Sequence, residues 1–196
     1  MKALPTQKRA VLKRSALIDA AALEFSERGF ELATAKSIAA KAGVATGTFY
    51  QYFENKSEIL RIIAGIRNDE LRDSLNLNSM QSADDAQTVE EFFKQKLMFI
   101  YQFHSSSPTL HQVLDQRRDL DQQLNDIMTE GDSVLHQQIL MFVQSFNLEK
   151  PEVVAQNLFA MAEGIIHRHV FHAPKLDTDA VISVGANMLA QFFVES

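Results

Sequence analysis

The sequence predicts an all-α protein of about nine helices, arranged as a three-helix head and a longer helical body. Three observations carry that prediction. Proline and glycine together number only eleven in 196 residues, so helices should dominate. Most segments repeat apolar residues at i, i+3 or i+4 and i+7, the pattern of one helix face. Breakers such as Gly29, Gly43, Pro108 and Pro151 fall between those segments. With 46% hydrophobic and 22% charged residues, the composition is that of a globular chain long enough for a proper core. Cysteine is absent, which excludes a disulfide framework and any thiolate metal site. No apolar run approaches the ~20 residues of a membrane span. The basic N-terminus lacks the apolar stretch of a secretory signal, and a cytoplasmic location is expected.

Helix 1 should begin at Thr6 or Lys8 and run to Arg28, burying Leu17, Ile18, Ala21, Ala22 and Phe25, with Gly29 as its stop. Phe30 and Leu32 should tuck under the next element. Lys2, Lys8, Arg9, Lys13 and Arg14 precede the first acidic residue. That run reads either as a solvated, frayed terminus or as an arm laid along a phosphate backbone or into a minor groove.

From Thr34 to Lys56, TAKSIAAKAGVATGTFYQYFENK reads as two short helices joined by a tight turn. Thr34 is the N-cap of the first, and Ile38, Ala39 and Ala42 form its apolar face. Gly43 ends it, because glycine takes the left-handed conformation at C′ without penalty. Val44 plugs the corner. The second helix spans Thr46 to Tyr52. Phe49 and Phe53 lie four apart and can be buried, leaving Thr46, Thr48, Tyr50, Gln51 and Tyr52 to point outward. The stretch 34–53 is a helix-turn-helix, whose second helix suits a DNA major groove. Hydroxyls and phenols suit phosphate oxygens, Gln51 an adenine edge, and Thr46 a base or a thymine methyl; Gly47 lets the backbone approach the duplex. The bland alternative is a helical hairpin with a polar surface, but the alternation of polar and aromatic residues favours groove docking.

GTFYQYFENKSEIL, with TAKSIAAKAGV before it, resembles the signature of the TetR/AcrR-type transcriptional regulators. The likeness is close over about Lys8 to Ile66 and extends to a general helical plan beyond. It implies a DNA-binding domain over 8–66 and a helical effector-binding and dimerisation domain over 67–196. Residue by residue, it implies base-side roles for Lys36, Thr46, Gly47 and Gln51. Thr34, Thr48, Tyr50, Tyr52 and Lys56 fall mainly on the phosphate side. Ala45 belongs to the same DNA-facing set, where the family often has a serine or similar cap. Alanine cannot cap, so Thr46 is expected to do so instead. Charge agrees with the division: residues 1–60 hold nine Lys/Arg against six Asp/Glu, and the rest ten against nineteen. That is a basic head on an acidic body.

Helix 4 should run from Ser57 to Leu75 and link head to body. Its Ile59, Ile63 and Ile66 keep register, with Leu60 and Ile62 widening the stripe. Residues 76–87 read as a loop. Helix 5 should run from Thr88, its N-cap, to Phe103, helix 6 from Thr109 to Arg117, and helix 7 from Leu120 to Ser145 with an interruption at Gly131. Pro151 suits the first position of helix 8, ending near Val170. Ala173 and Pro174 separate it from helix 9, which runs from its cap Asp177 to Val194. Helices 8 and 9 (about 151–170 and 177–194) look like a homodimer interface. Ala160, Gly164, Gly185 and Ala186 allow close packing, and Val154, Leu158, Met161, Ile165, Val181, Val184, Met188 and Phe192 offer apolar surface. Two such helices from each chain make a four-helix bundle about a two-fold axis, as the resemblance also implies.

Helices 5 to 8 are rich in Phe and Met, and the resemblance implies a ligand cavity among them. The candidate lining is Phe93, Met98, Phe99, Tyr101, Phe103, Met128, Phe142, Phe159, Glu163 and His167, although plain core is the commoner role for any one of them. Adaptable methionines and flat rings suit a hydrophobic or aromatic effector. His167, His169 and His172 supply at most two converging ligands from one short stretch, fewer than zinc needs, so no metal or cofactor is expected. Nucleophile elbow, phosphate loop, dinucleotide fingerprint and HExxH motif are all missing, and no enzyme is expected. The reading is a homodimeric repressor, bound to palindromic double-stranded operator DNA and released by a small effector. The alternatives are a regulator without a small-molecule cue and a helical enzyme with a vestigial head.

Overall fold

The computed structural model describes residues 7–75, 77, 86–146, 148–172 and 175–194. Among them the chain forms nine α-helices and no strand: α1 Lys8–Leu32, α2 Ala35–Lys41, α3 Thr46–Tyr52, α4 Lys56–Leu75, α5 Ala86–Ser105, α6 Pro108–Arg118, α7 Gln122–Gln144, α8 Pro151–Phe171 and α9 Thr178–Val194. Two compact units result. The first takes in residues up to 69 together with 107–129, the second 70–106 and the chain from 130 onward. Lys2 and Thr6 lie outside the described residues.

In the first unit, Leu17, Ile18, Ala21 and Phe25 of α1 meet Ile38 and Ala39 of α2, Phe49, Phe53, and Ile59, Leu60 and Ile63 of α4. The apolar repeat of each helix dictates these faces. Gly29 breaks α1 with φ 71° and ψ 172°, after which one more turn runs to Leu32. Phe30 turns inward and stacks on Phe25, the ring centroids 5.5 Å apart. Leu32, expected to tuck in beside it, is 65% exposed. Residues two apart on a helical turn face different ways, so Phe30 and Leu32 cannot both point inward. Ile66 is likewise exposed, and Ala64 takes the buried place in the α4 stripe.

The division of the chain departs from a boundary at residue 66. Leu110, Val113 and Leu114 of α6 and Leu124 of α7 are buried in the core of the first unit. Arg61 Nε donates to both Asp121 oxygens at 2.9 and 3.0 Å, and Asn68 Nδ2 donates to the Ile127 carbonyl at 2.9 Å. Asp121 also caps α7, accepting from the Leu124 N–H at 3.1 Å. Partners some sixty residues apart leave no trace in a local periodicity, so the sequence reading missed them.

The second unit packs α5, the C-terminal part of α7, α8 and α9 around Phe92, Phe93, Leu97, Phe142, Ile166, Ile182 and Phe193. α5 begins at Ala86, two residues before Thr88, so Thr88 is not its N-cap. α7 starts at Gln122 and runs unbroken through Gly131, without the expected interruption. Of the predicted loop 76–87, Asn76 and 78–85 lie outside the described residues, as do Ala173 and Pro174. α8 opens on Pro151, preceded by Lys150 in left-handed backbone at φ 55°. Asp177 Oδ1 accepts the Ala180 N–H at 2.8 Å and starts α9 as expected. Gly185 is buried where α9 meets its neighbours: a Cβ there would stand 3.1 Å from Ile165 Cδ1 and 3.4 Å from Leu97 Cδ1. No described helix is long and apolar enough to cross a membrane.

Candidate nucleic-acid interface

The geometry of the helix-turn-helix starts at Thr34. Its hydroxyl accepts the Ser37 N–H at 3.0 Å while Ser37 Oγ accepts the Thr34 N–H at 3.0 Å, a reciprocal capping box. Serine is a short stand-in for the usual Glu or Gln at that position, which is why the sequence showed only half of the motif. Thr34→Ala is expected to lower stability by about 1 kcal/mol, read as a fall in melting temperature. At the other end Gly43 has φ 67°, and the Val44 N–H reaches back to the Ala39 carbonyl at 3.0 Å. This left-handed closure sets the angle at which α3 leaves α2.

In α3 the N-cap is Ala45, with no side-chain cap hydrogen bond. Thr46 is already the first helical residue and does not cap, so its hydroxyl is not committed there. Phe49 and Phe53 are fully buried, ring centroids 5.5 Å apart, and bolt the helix to the core. That leaves Thr46, Gly47, Tyr50 and Gln51 exposed along the opposite side, Tyr50 at 52%. Ala45 and Lys36 are also exposed, and Thr48 is half-buried. Tyr52 is half-buried and packs against the core, so it is not purely an outward group.

Two polar assemblies brace this arrangement, and neither was foreseen. Asn55 Oδ1 accepts the Glu58 N–H at 3.0 Å, and the Glu58 carboxylate accepts the Glu54 N–H at 2.6 Å, so an Asn-x-x-Glu box starts α4. The Asn-Lys-Ser-Glu string was the available signal. Between α1 and α2, buried Glu24 pairs with Arg28 at 3.1 Å and Lys41 at 3.5 Å, while Lys41 also pairs with Glu27. Burial pushes the Glu24 carboxyl up, but hydrogen bonds from Ser37, Arg28 and Lys41 outweigh it and hold the group below its ordinary 4.5. A carboxyl depressed on folding contributes stability above its unfolded value and loses it as pH falls through the folded value. Acidification below pH 4.5 is therefore expected to loosen the α1–α2 packing. In Glu24→Gln that acid-dependent loss of melting temperature should shrink.

The candidate ligand residues scatter. Phe93 and Phe142 are buried core, their rings 6.1 Å apart and both against Phe193. Met98 and Phe99 line a shallow hollow on α5 with Lys94, Gln95 and Gln102. Tyr101 lies 5.4 Å from His169, a buried ring whose Nε2 meets Thr178 Oγ1 at 3.0 Å. The Phe103 and Phe99 centroids are 6.4 Å apart, and those of His167 and His104 are 4.9 Å apart. Phe159 stands 6.2 Å from His136, and Glu163 is exposed. Met128 is set apart from all of these, packed against the core of the first unit. α7 passes from one unit to the other just after it.

On α8 and α9, Val154 and Leu158 face the protomer's own core, and Ala186 is fully buried. They are therefore not available to an intersubunit surface, whereas Val153, one position before Val154, is exposed. Met161, Val184, Met188 and Phe192 do remain exposed. Between the two helices runs an apolar groove of about 600 Å³ lined by Gly164, Ile165, Val181, Val184, Gly185 and Met188, among others.

A short helix pinned by two buried rings, its polar side open to solvent, has the build of the second helix of a helix-turn-helix. Residues 17–63 match the sequence model described as bacterial regulatory proteins, tetR family. Over 44 residues the chain is 48% identical to the fatty acid metabolism regulator protein of Bacillus subtilis (strain 168), a stretch covering 22% of this chain and 23% of that one. Among solved structures it is similar to one from Mesorhizobium loti assigned to the TetR-family transcriptional regulators, with a TM-score of 0.76, 17% identity, and 95% and 97% of the two chains covered. It is also similar to the fatty acid degradation regulator FadR from Bacillus halodurans, with a TM-score of 0.69, 21% identity, and 97% of each chain covered. Residues 17–63 are thus similar to the tetR family of bacterial regulatory proteins, and the chain as a whole shares its fold with these solved structures.

Proposed function

We propose that the protein is a homodimeric transcriptional repressor of the cytoplasm, bound to a palindromic operator through α3 and released by a small hydrophobic or aromatic effector. One observation carries the reading. Phe49 and Phe53 commit the apolar side of α3 to the core, so Thr46, Gly47, Tyr50 and Gln51 stand exposed on its other side, in reach of a groove. Lys36, Thr34, Thr48 and Tyr52 flank them. A second copy covers the α8–α9 groove and its exposed Val184, Met188 and Phe192. The paired α3 helices then meet half-sites ~34–36 Å apart, or a multiple of that.

The effector reading rests on the second unit. On α7, His136 Nε2 and Gln138 Oε1 are buried with no protein partner, and the His136 ring faces Phe159. Such atoms suit a ligand that brings its own hydrogen-bonding group on an apolar body. Two relatives are fatty-acid regulators by name, which makes a long-chain acyl compound the first candidate. The effector needs only a higher affinity for the state that releases DNA, reached through α4. The dense packing of Phe92, Phe93, Phe142 and Phe193 favours the second reading, a DNA-binding regulator without a small-molecule cue.

Selection of bound sequences from a random DNA pool, repeated with long-chain fatty acids, their thioesters and small aromatics, tests both. A recovered palindrome that a ligand releases supports the repressor. A palindrome indifferent to every ligand favours the second reading, and no enrichment at all ends both.

A further inference from the structure

We propose that Lys56 is a positioning residue rather than a phosphate clamp. Its ammonium locks the start of α4, and hence the adjoining end of α3, onto the C-terminal carbonyls of α1. Nζ donates to the Phe30 carbonyl at 2.6 Å, to Ala33 at 3.1 Å and to Glu31 at 3.2 Å. Carbonyls at the end of a helix lack intrahelical donors, and an ammonium has three hydrogens to offer. All three are engaged. The negative end of the α1 dipole favours a cation at the same spot.

The ring of Phe30 completes the seat. Nζ lies 4.4 Å from its centroid, and so does Cζ of Arg117 on α6. Arg117 Nη1 also pairs with Glu31 Oε1 at 3.1 Å. Two helices distant in sequence thus place cations on one turn of α1. To reach a phosphate, Lys56 would have to give up three carbonyls and the ring face together. Phe53, the C-cap of α3, is only three residues away, so the anchor sets the tilt of the reading helix.

The inference rests on the reading of α3 as the helix that enters DNA, and salt dependence separates the two claims. Removing one phosphate contact lowers the slope of log affinity against log salt by about 0.9; removing a positioning contact leaves it in place. Lys56→Met is expected to weaken binding about tenfold to hundredfold, to lower the melting temperature, and to keep the wild-type slope. Lys56→Arg should lose as much, because a planar guanidinium cannot aim three donors from one nitrogen. A slope reduced by about one in Lys56→Met, with near-normal binding by Lys56→Arg, overturns the proposal. If the Lys56 variants fail to fold, Phe30→Leu is the milder probe. It should weaken binding at an unchanged slope, and unaltered affinity overturns the proposal. Wild-type protein that enriches no DNA at any salt instead defeats the DNA-binding reading itself.

Discussion

Phe49→Ala should abolish DNA binding without removing a single group that faces DNA. The ring is fully buried and lies against Phe53. Its loss is expected to cost about 3–5 kcal/mol, a cavity included. Whole domains are stable by only about 5–15 kcal/mol, so a large part of the head's stability goes with one side chain. Tyr50→Ala is the matching control. Next to Phe49 but half exposed, it should leave the melting curve close to wild type while weakening DNA binding. Circular dichroism melts beside a binding titration separate the two. Equal melting temperatures for Phe49→Ala and wild type would refute the packing account.

Val184→Glu has a comparable expected effect on assembly. Val184 is 61% exposed on the protomer, in the groove between α8 and α9. In the proposed dimer it is covered, and an unpaired carboxylate buried there is strongly unfavourable. Sedimentation velocity should show a folded monomer. Affinity for a two-half-site operator should fall by about 10²–10⁴, the loss expected when linked sites become independent. A variant that stays dimeric at low micromolar concentration would place the interface elsewhere.

These two cases mark what was legible beforehand. The α2–turn–α3 unit was read nearly residue for residue, because caps, a left-handed glycine and a four-residue aromatic spacing are local signals. Gly43, Thr34, Phe49 and Phe53 each announce their role within a few positions. The anchoring of Lys56 was invisible, since its acceptors are backbone carbonyls more than twenty residues earlier. A lysine among DNA-facing residues looks the same whether it turns outward or back. The apolar stripes of α8 and α9 were misassigned in part for a related reason. Helices that are apolar nearly all round offer no single buried stripe, so periodicity cannot say that Val154 and Leu158 face inward while Val184 and Met188 do not. Met128 packs against the core of the first unit, away from the other candidate lining residues, because a continuous helix can serve two cores and nothing in its sequence marks the changeover.

Leu110, Val113, Leu114 and Leu124 close the same core that holds α3, although they follow it by about sixty to seventy residues. The reader is therefore not a detachable cassette. Cutting the gene after codon 66, or grafting that segment onto a relative's C-terminal part, would strip away one wall of its interior. A transplant that keeps operator preference intact has to carry residues 107–129 as well. Natural recombination that shuffles recognition specificity within such proteins would face the same constraint: the N-terminal segment and this later strip of chain must change together.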